Sequence, residues 1–217
     1  VAAMAAAVTP RTRAVIACTP NNPTGPALSG AELVALLDGV PERALVLVDE
    51  AYLDFVTDDA VGDALTLVDR YPNLVVSRTF SKAHALAGMR VGYLVAAPAI
   101  AAAIRSVATP FGVGLVAQAA AIAASRPGAL ATTAQRAAAV ARERARVLAA
   151  LRAQGWAMPD AQGNFYWWGR ARRTTGCSRP PLRGMVRAAD GSCEWRGPRF
   201  GGNLDGANPA DLQRVDQ

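Results

Sequence analysis

Four short apolar runs rich in β-branched residues punctuate the first hundred residues, at 14–18 (AVIAC), 45–48 (LVLV), 74–77 (LVVS) and 90–96 (RVGYLVA). Continuous apolar runs of this length read as buried strands, and the helical stretches between them supply crossover connections. The fold class that follows is α/β, a mainly parallel sheet sandwiched by helices. Ser29 followed by Glu32 is a capping pattern that opens the first of those helices. Ligands of such sheets bind beyond the carboxyl ends of the strands, so the polar residues following each run are where chemistry is expected.

Beyond this unit the pattern changes twice. Residues 98–125 read as two Ala-rich helices joined at Pro110. Within them, 106–125 carries no charge and matches a membrane span in length. Pro110, Gly112, Gly114 and Gln118 interrupt it, so it is expected to be a buried loop and helix. Residues 130–154 read as one long helix with an Arg-rich outer face, a bridge to another subdomain, and 163–168 (GNFYWW) as a strand. From 169 to 217 the chain holds nine Arg, eight Gly and four Pro but only six residues from Leu, Ile, Val and Phe, too few for a packed core. No helical or strand period is evident there, and that tail is expected to be irregular. The expected divisions are therefore 1–125, 126–168 and 169–217.

Composition narrows the function classes. With 217 residues, 52% hydrophobic and 18% charged, the chain is neither disordered nor fibrous for most of its length. Its 23 basic residues against 17 acidic ones include a single lysine, Lys82. The Arg and Ala excess reads as coding bias, since no stacking or reading residues are clustered with it; no nucleic-acid partner is expected. Cys18, Cys177 and Cys193 form neither an even set nor a CxxC pair, so a reducing cytoplasm is the expected setting, with no membrane association.

Three polar motifs carry the chemistry. Ser77-Arg78-Thr79-Phe80-Ser81-Lys82, followed by Gly88-Met89-Arg90, sets hydroxyls, an amine and a guanidinium at the end of a buried strand. That combination suits a phosphate with a nucleophilic amine beside it; taken alone, Lys82 also reads as a surface lysine beside a turn. Asp49-Glu50-Ala51-Tyr52 ends the second run, where Asp49 could equally cap a helix. Asn21-Asn22-Pro23-Thr24-Gly25 is by itself a turn signal. Because each motif follows a different strand, all three are expected to converge on one crevice. An amide, a carboxylate, a phenol, an amine and a phosphate clamp together match the needs of pyridoxal phosphate.

These motifs, with Val91-Gly92-Tyr93 after Arg90, resemble the fold type I, class I and II aminotransferases. The branch is that of the histidinol-phosphate and aromatic amino acid aminotransferases, and the match runs over about residues 10–168. The resemblance implies that Lys82 is the Schiff-base lysine and Asp49 the partner of the pyridinium nitrogen. It implies that Tyr52 and Asn22 hold the ring oxygen, and that Thr79, Ser81 and Arg90 hold the phosphate. Asn164 resembles a residue near the substrate carboxylate. His84 is expected to pack, and Trp167 and Trp168 to belong to a small-domain core.

The activity implied is amino transfer between an aromatic amino acid, or histidinol phosphate, and a 2-oxo acid, by a homodimer. On this resemblance 1–125 is part of a cofactor-binding large domain, and 126–168 a linking helix and the start of a small α+β domain. Two parts of the family pattern are absent: the start of the large domain, which reads as an N-terminal truncation, and a strand after Trp168 bearing a carboxylate-clamping arginine. Arg187 and Arg196 are the nearest candidates for that arginine. A reading-frame shift in a GC-rich gene would produce such a tail, a hypothesis testable in the alternative frames. Two other readings stand: an inactive fragment of such an enzyme, and a decarboxylase or lyase using the same lysine.

Overall fold

The computed structural model describes residues 1–167 and the backbone of two short strands, Met185–Arg187 and Cys193–Trp195. Four strands form the main sheet in the order β1 (Ala14–Cys18), β2 (Leu45–Asp49), β3 (Leu74–Thr79) and β4 (Gly92–Ala96). β1, β2 and β3 are parallel, and β4 runs antiparallel to β3. The physical reason lies in the connections. Residues 19–44 and 50–73 give the parallel strands their crossovers, α-helical in the first and with two 3-10 turns in the second, whereas the shorter link 80–91, with the 3-10 turn Ala87–Met89, returns β4 antiparallel beside β3.

β1 and β2 alternate in burial, β3 is buried continuously from Leu74 to Val76, and β4 has no buried residue. Val15, Ala17, Val46, Val48, Leu74 and Val76 pack against Leu33, Leu36 and Leu37 of α2 (Gly30–Asp38), while Ile16 on the opposite face is 64% exposed. A short helix, α1 (Ala2–Ala6), lies beside α2. The capping pattern forms as expected: the Ser29 Oγ accepts the Glu32 amide, and the Ser29 amide donates to Glu32 Oε2 at 2.8 Å.

The Ala-rich stretch forms two helices, α3 (Pro98–Val107) and α4 (Leu115–Ala124), on either side of a loop containing Pro110. It is not buried. Phe111 is 99% exposed, Val107, Leu115 and Val116 are also exposed, and Ala117 alone is buried in α4. Its apolar side chains stay largely exposed despite contacts with β4, the Ala87–Met89 turn and the helix Pro127–Ala153. Among the described residues no helix is long and apolar enough to cross a membrane.

The long helix α5 (Pro127–Ala153) buries Thr133, Ala137, Ala141, Arg144, Leu148 and Leu151. The expected strand at 163–168 is absent over its described residues 163–167, of which 163–165 form a bend. The Gly163 carbonyl is taken by Arg144 and the Gln162 amide by Gly25, so this backbone is bonded outside any ladder. Trp167 is exposed rather than packed in a small-domain core, and Trp168 lies outside the described residues. In the tail, where no strand period is evident in sequence, β5 (Met185–Arg187) pairs antiparallel with β6 (Cys193–Trp195). Arg187 ends β5; Arg196 and the rest of 169–217, including Cys177, lie outside the described residues.

Candidate active site

The parallel register sets the site. Asp49, the last residue of β2, pairs with Cys18, the last of β1, on one side and with Ser77 of β3 on the other, so two strand ends lie level and β3 runs on to Thr79. The Ser77 hydroxyl donates to Asp49 Oδ1 at 3.1 Å. Beyond β1, the amide of Thr19 donates to the Asp49 carbonyl at 2.9 Å, carrying the chain into the turn that holds Asn22.

Across that crevice the Asn22 side-chain amide donates to Tyr52 Oη at 2.8 Å. Tyr52 is buried, its ring edge-on to Phe165 with centroids 4.9 Å apart. Lys82 Nζ sits 5.2 Å from the Tyr52 ring centroid. The structure therefore brings residues of the three motifs together, with Lys82 half-buried against Tyr52.

The loop after β3 is held by local bonds. Thr79 Oγ1 accepts the Ser81 amide at 3.0 Å and reaches the Val91 carbonyl at 3.4 Å, so Thr79, Ser81 and the Arg90–Val91 backbone run side by side. Arg90 has a left-handed backbone (φ 53°), is exposed, and donates to the Ala87 carbonyl at 2.9 Å. His84 packs on Phe80 with ring centroids 4.8 Å apart and lies 3.5 Å from the Thr133 hydroxyl, as a packing residue would. Asn164 is fully buried in the bent segment that carries Phe165 onto Tyr52. Cys18 donates its thiol to the Pro20 carbonyl at 3.3 Å, and burial pushes that thiol upward from its ordinary pKa.

Sequence reading missed two charge networks. On the face opposite Asp49 and Ser77, Glu50 is buried, with Oε2 accepting Arg78 Nε at 2.9 Å and Nη2 at 2.7 Å. Its Oε1 accepts the Ala64 amide at 2.7 Å. Arg78 Nη2 also reaches Asp63 Oδ1 at 2.6 Å. Burial raises the Glu50 carboxyl above its ordinary pKa despite these donors. Burial acts to lower the Arg78 guanidinium, and Glu50 and Asp63 outweigh it, so its pKa rises. A period-two reading of 49–50 and 77–79 would have placed Glu50 and Arg78 together on one face.

The second network centres on Arg144, which is 4% exposed. Its Nη1 donates to the carbonyls of Phe55 and Gly163, both at 2.8 Å, and its Nη2 donates to Thr57 Oγ1 at 3.0 Å. Among the described residues no carboxylate lies within ion-pair distance of it, and burial lowers its pKa. In sequence it was one more arginine of a helix read as Arg-rich on its outer face.

The family model for aminotransferase class I and II matches residues 1–184. The aromatic amino acid aminotransferase of Streptomyces coelicolor is 49% identical over 172 residues, covering 79% of this chain and 47% of that protein. That of Rhodococcus opacus is 52% identical over 165 residues, covering 75% and 44%. The crystal structure of histidinol-phosphate aminotransferase from Sinorhizobium meliloti in complex with pyridoxal-5'-phosphate superposes with a TM-score of 0.63. It is 33% identical, and the match covers 70% of this chain and 41% of that one. The chain thus spans about half the length of the curated relatives it matches.

Proposed function

Since this chain belongs to the class I and II aminotransferase family, we propose that its strand-end crevice binds pyridoxal phosphate and serves amino transfer between an amino acid and a 2-oxo acid. The observation that carries the reading is the convergence of Asn22, Tyr52 and Lys82 beside the Asp49–Ser77 pair. The donor set fits the coenzyme: one amine, a carboxylate held by a hydroxyl, a phenol joined to an amide, and the hydroxyls of Thr79 and Ser81, with Arg90 exposed beyond them in the chain.

Asp49 would face the ring nitrogen, and Tyr52 with Asn22 the ring oxygen. Thr79, Ser81 and Arg90 would hold the phosphate. Bound there, the coenzyme supplies an electron sink for breaking the Cα–H bond of an amino acid. Lys82 Nζ would hold the coenzyme at its aldehyde carbon and would serve as the base that takes the substrate Cα proton. Its place over the buried Tyr52 ring supports that role. Ser77 keeps the Asp49 carboxylate fixed in orientation. Asn164, beside Phe165, would approach the substrate carboxylate.

The donor we infer is an aromatic amino acid, supported by the names of the relatives at 49 and 52% identity; histidinol phosphate is the second candidate, on the name of the Sinorhizobium structure. A homodimer is supported by the exposed apolar run from Val107 to Val116. The free thiol of Cys18 is in keeping with a cytoplasmic setting.

The test is an absorbance titration of the purified chain with pyridoxal phosphate beside Lys82→Ala. A band that needs Lys82, followed by conversion of phenylalanine to its oxo acid, supports the proposal. Carbon dioxide as the product would favour a decarboxylase. No lysine-dependent band would sink cofactor binding by this chain.

A further inference from the structure

We propose that Arg78, clamped between Glu50 and Asp63, is a positioning residue for the cofactor crevice, an inference that rests on the reading of the crevice just given. Neither Glu50 nor Arg78 lies on the face of Asp49 and Ser77. Each is nevertheless the immediate neighbour of a residue in the site: Glu50 follows Asp49, and Arg78 stands between Ser77 and Thr79. Strand alternation sends these two charges to the other side of the sheet, where they meet.

The clamp joins three pieces of chain. Glu50 Oε2 takes two donors from Arg78, Glu50 Oε1 takes the Ala64 amide, and Asp63 Oδ1 takes both Arg78 Nη2 and the Leu65 amide. The ends of β2 and β3 are thereby tied to the turn at Ala64–Leu67. The backbone bond that completes the sheet at this point, from the Glu50 amide to the Ser77 carbonyl at 2.9 Å, lies within the clamp. Past it the chain leaves β2 toward Tyr52 and β3 toward Lys82. With the clamp open, the register of Asp49 against Ser77 and the take-off of Thr79 would no longer be fixed, and preorganised sites lose binding when their supporting contacts loosen.

A buried ion pair is weak support for stability by itself, because desolvation offsets the attraction. That separates positioning from folding. Removing both charges in Glu50→Gln with Arg78→Gln leaves no lone buried charge and is expected to keep the melting temperature close to that of the parent. The same double variant is expected to bind pyridoxal phosphate about tenfold more weakly in the Lys82-dependent band, the scale on which supporting contacts act. In the cofactor-free chain the amides of Glu50 and Ala64 are expected to exchange faster. Arg78→Lys keeps the charge but cannot span Glu50 and Asp63 with a planar fork, so it is not expected to restore binding.

The experiment is the titration of parent, double variant and Arg78→Lys with pyridoxal phosphate, alongside melting and amide exchange. Parent affinity in a folded double variant, or in Arg78→Lys if the double variant does not fold, overturns the positioning role while leaving the crevice reading intact. Absence of the band in the parent itself overturns the crevice reading, and this inference with it.

Discussion

The side-chain amide of Asn22 donates to the phenol oxygen of Tyr52 across 2.8 Å, joining positions 30 residues apart in the chain. Asn22 is set by the turn after β1 and Tyr52 by the chain leaving β2, so the bond reports that the two strand ends are in register. Tyr52→Phe deletes it while keeping the ring against Phe165. We expect a stability loss of about 1 kcal/mol, the net worth of one hydrogen bond. Pyridoxal phosphate should bind about tenfold more weakly in the absorbance titration. Unchanged affinity would remove Tyr52 from the proposed ring-oxygen contacts.

Gly25 closes the Asn22 turn with φ of 99°, and a Cβ there would stand 2.7 Å from the Ala161 Cβ. Gly25→Ala is expected to cost about 1–3 kcal/mol in denaturant unfolding, through both left-handed strain and the clash. Gly88, where a Cβ meets nothing within 4 Å, is the control, and Gly88→Ala should unfold near the parent midpoint. Equal midpoints for the two variants would contradict the close approach of 161 to the turn.

Arg144→Met strips two buried carbonyls, of Phe55 and Gly163, of their donor. The expected loss is about 1–3 kcal/mol for buried acceptors left unpaired. Exposed Arg142→Met should stay within about 0.5 kcal/mol of the parent. Chemical denaturation of both variants checks this; similar losses would mean that Arg144 does not fasten α5 to the 55–57 and 163 segments.

The α2 cap should be pH-dependent. The Ser29 amide and then its hydroxyl hold Glu32 below its ordinary carboxyl value of 4.5. A carboxyl lowered in the folded state stabilises above the unfolded pKa, and that contribution disappears as pH falls through the lower folded value. NMR titration should find Glu32 protonating below pH 4.5, with faster exchange of the Ser29 amide as it does. A Glu32 midpoint at or above 4.5 would mean that the capping box does not hold in solution.

Much of this molecule was legible before any coordinate. Runs of β-branched residues marked β1 to β4 because continuous apolar sequence of that length has few other uses, and the Ser29–Glu32 spacing marked the start of α2. The polar motifs after three of those strands pointed to Asn22, Asp49, Tyr52 and Lys82; Asn22 and Lys82 both lie against Tyr52, and Asp49 is bonded to Ser77. Where the reading failed, the cause was an unseen partner. The 106–125 segment is apolar as a core helix is, yet it is exposed, because hydropathy reports what a face prefers and not whether anything covers it. The 163–167 segment has strand composition, yet Arg144 claims the Gly163 carbonyl and Gly25 the Gln162 amide just before it.

Local propensity and hydrophobic period thus determined which segments are strands and helices, and which residue types end each strand. Tertiary structure decided the rest: the antiparallel turn of β4, the burial of Arg144 in a helix read as Arg-rich on its outer face, and the meeting of Glu50 with Arg78 across β2 and β3. Those outcomes depend on which distant donor reaches which acceptor. One chain position carries no record of its partner until the sheet register brings the two together.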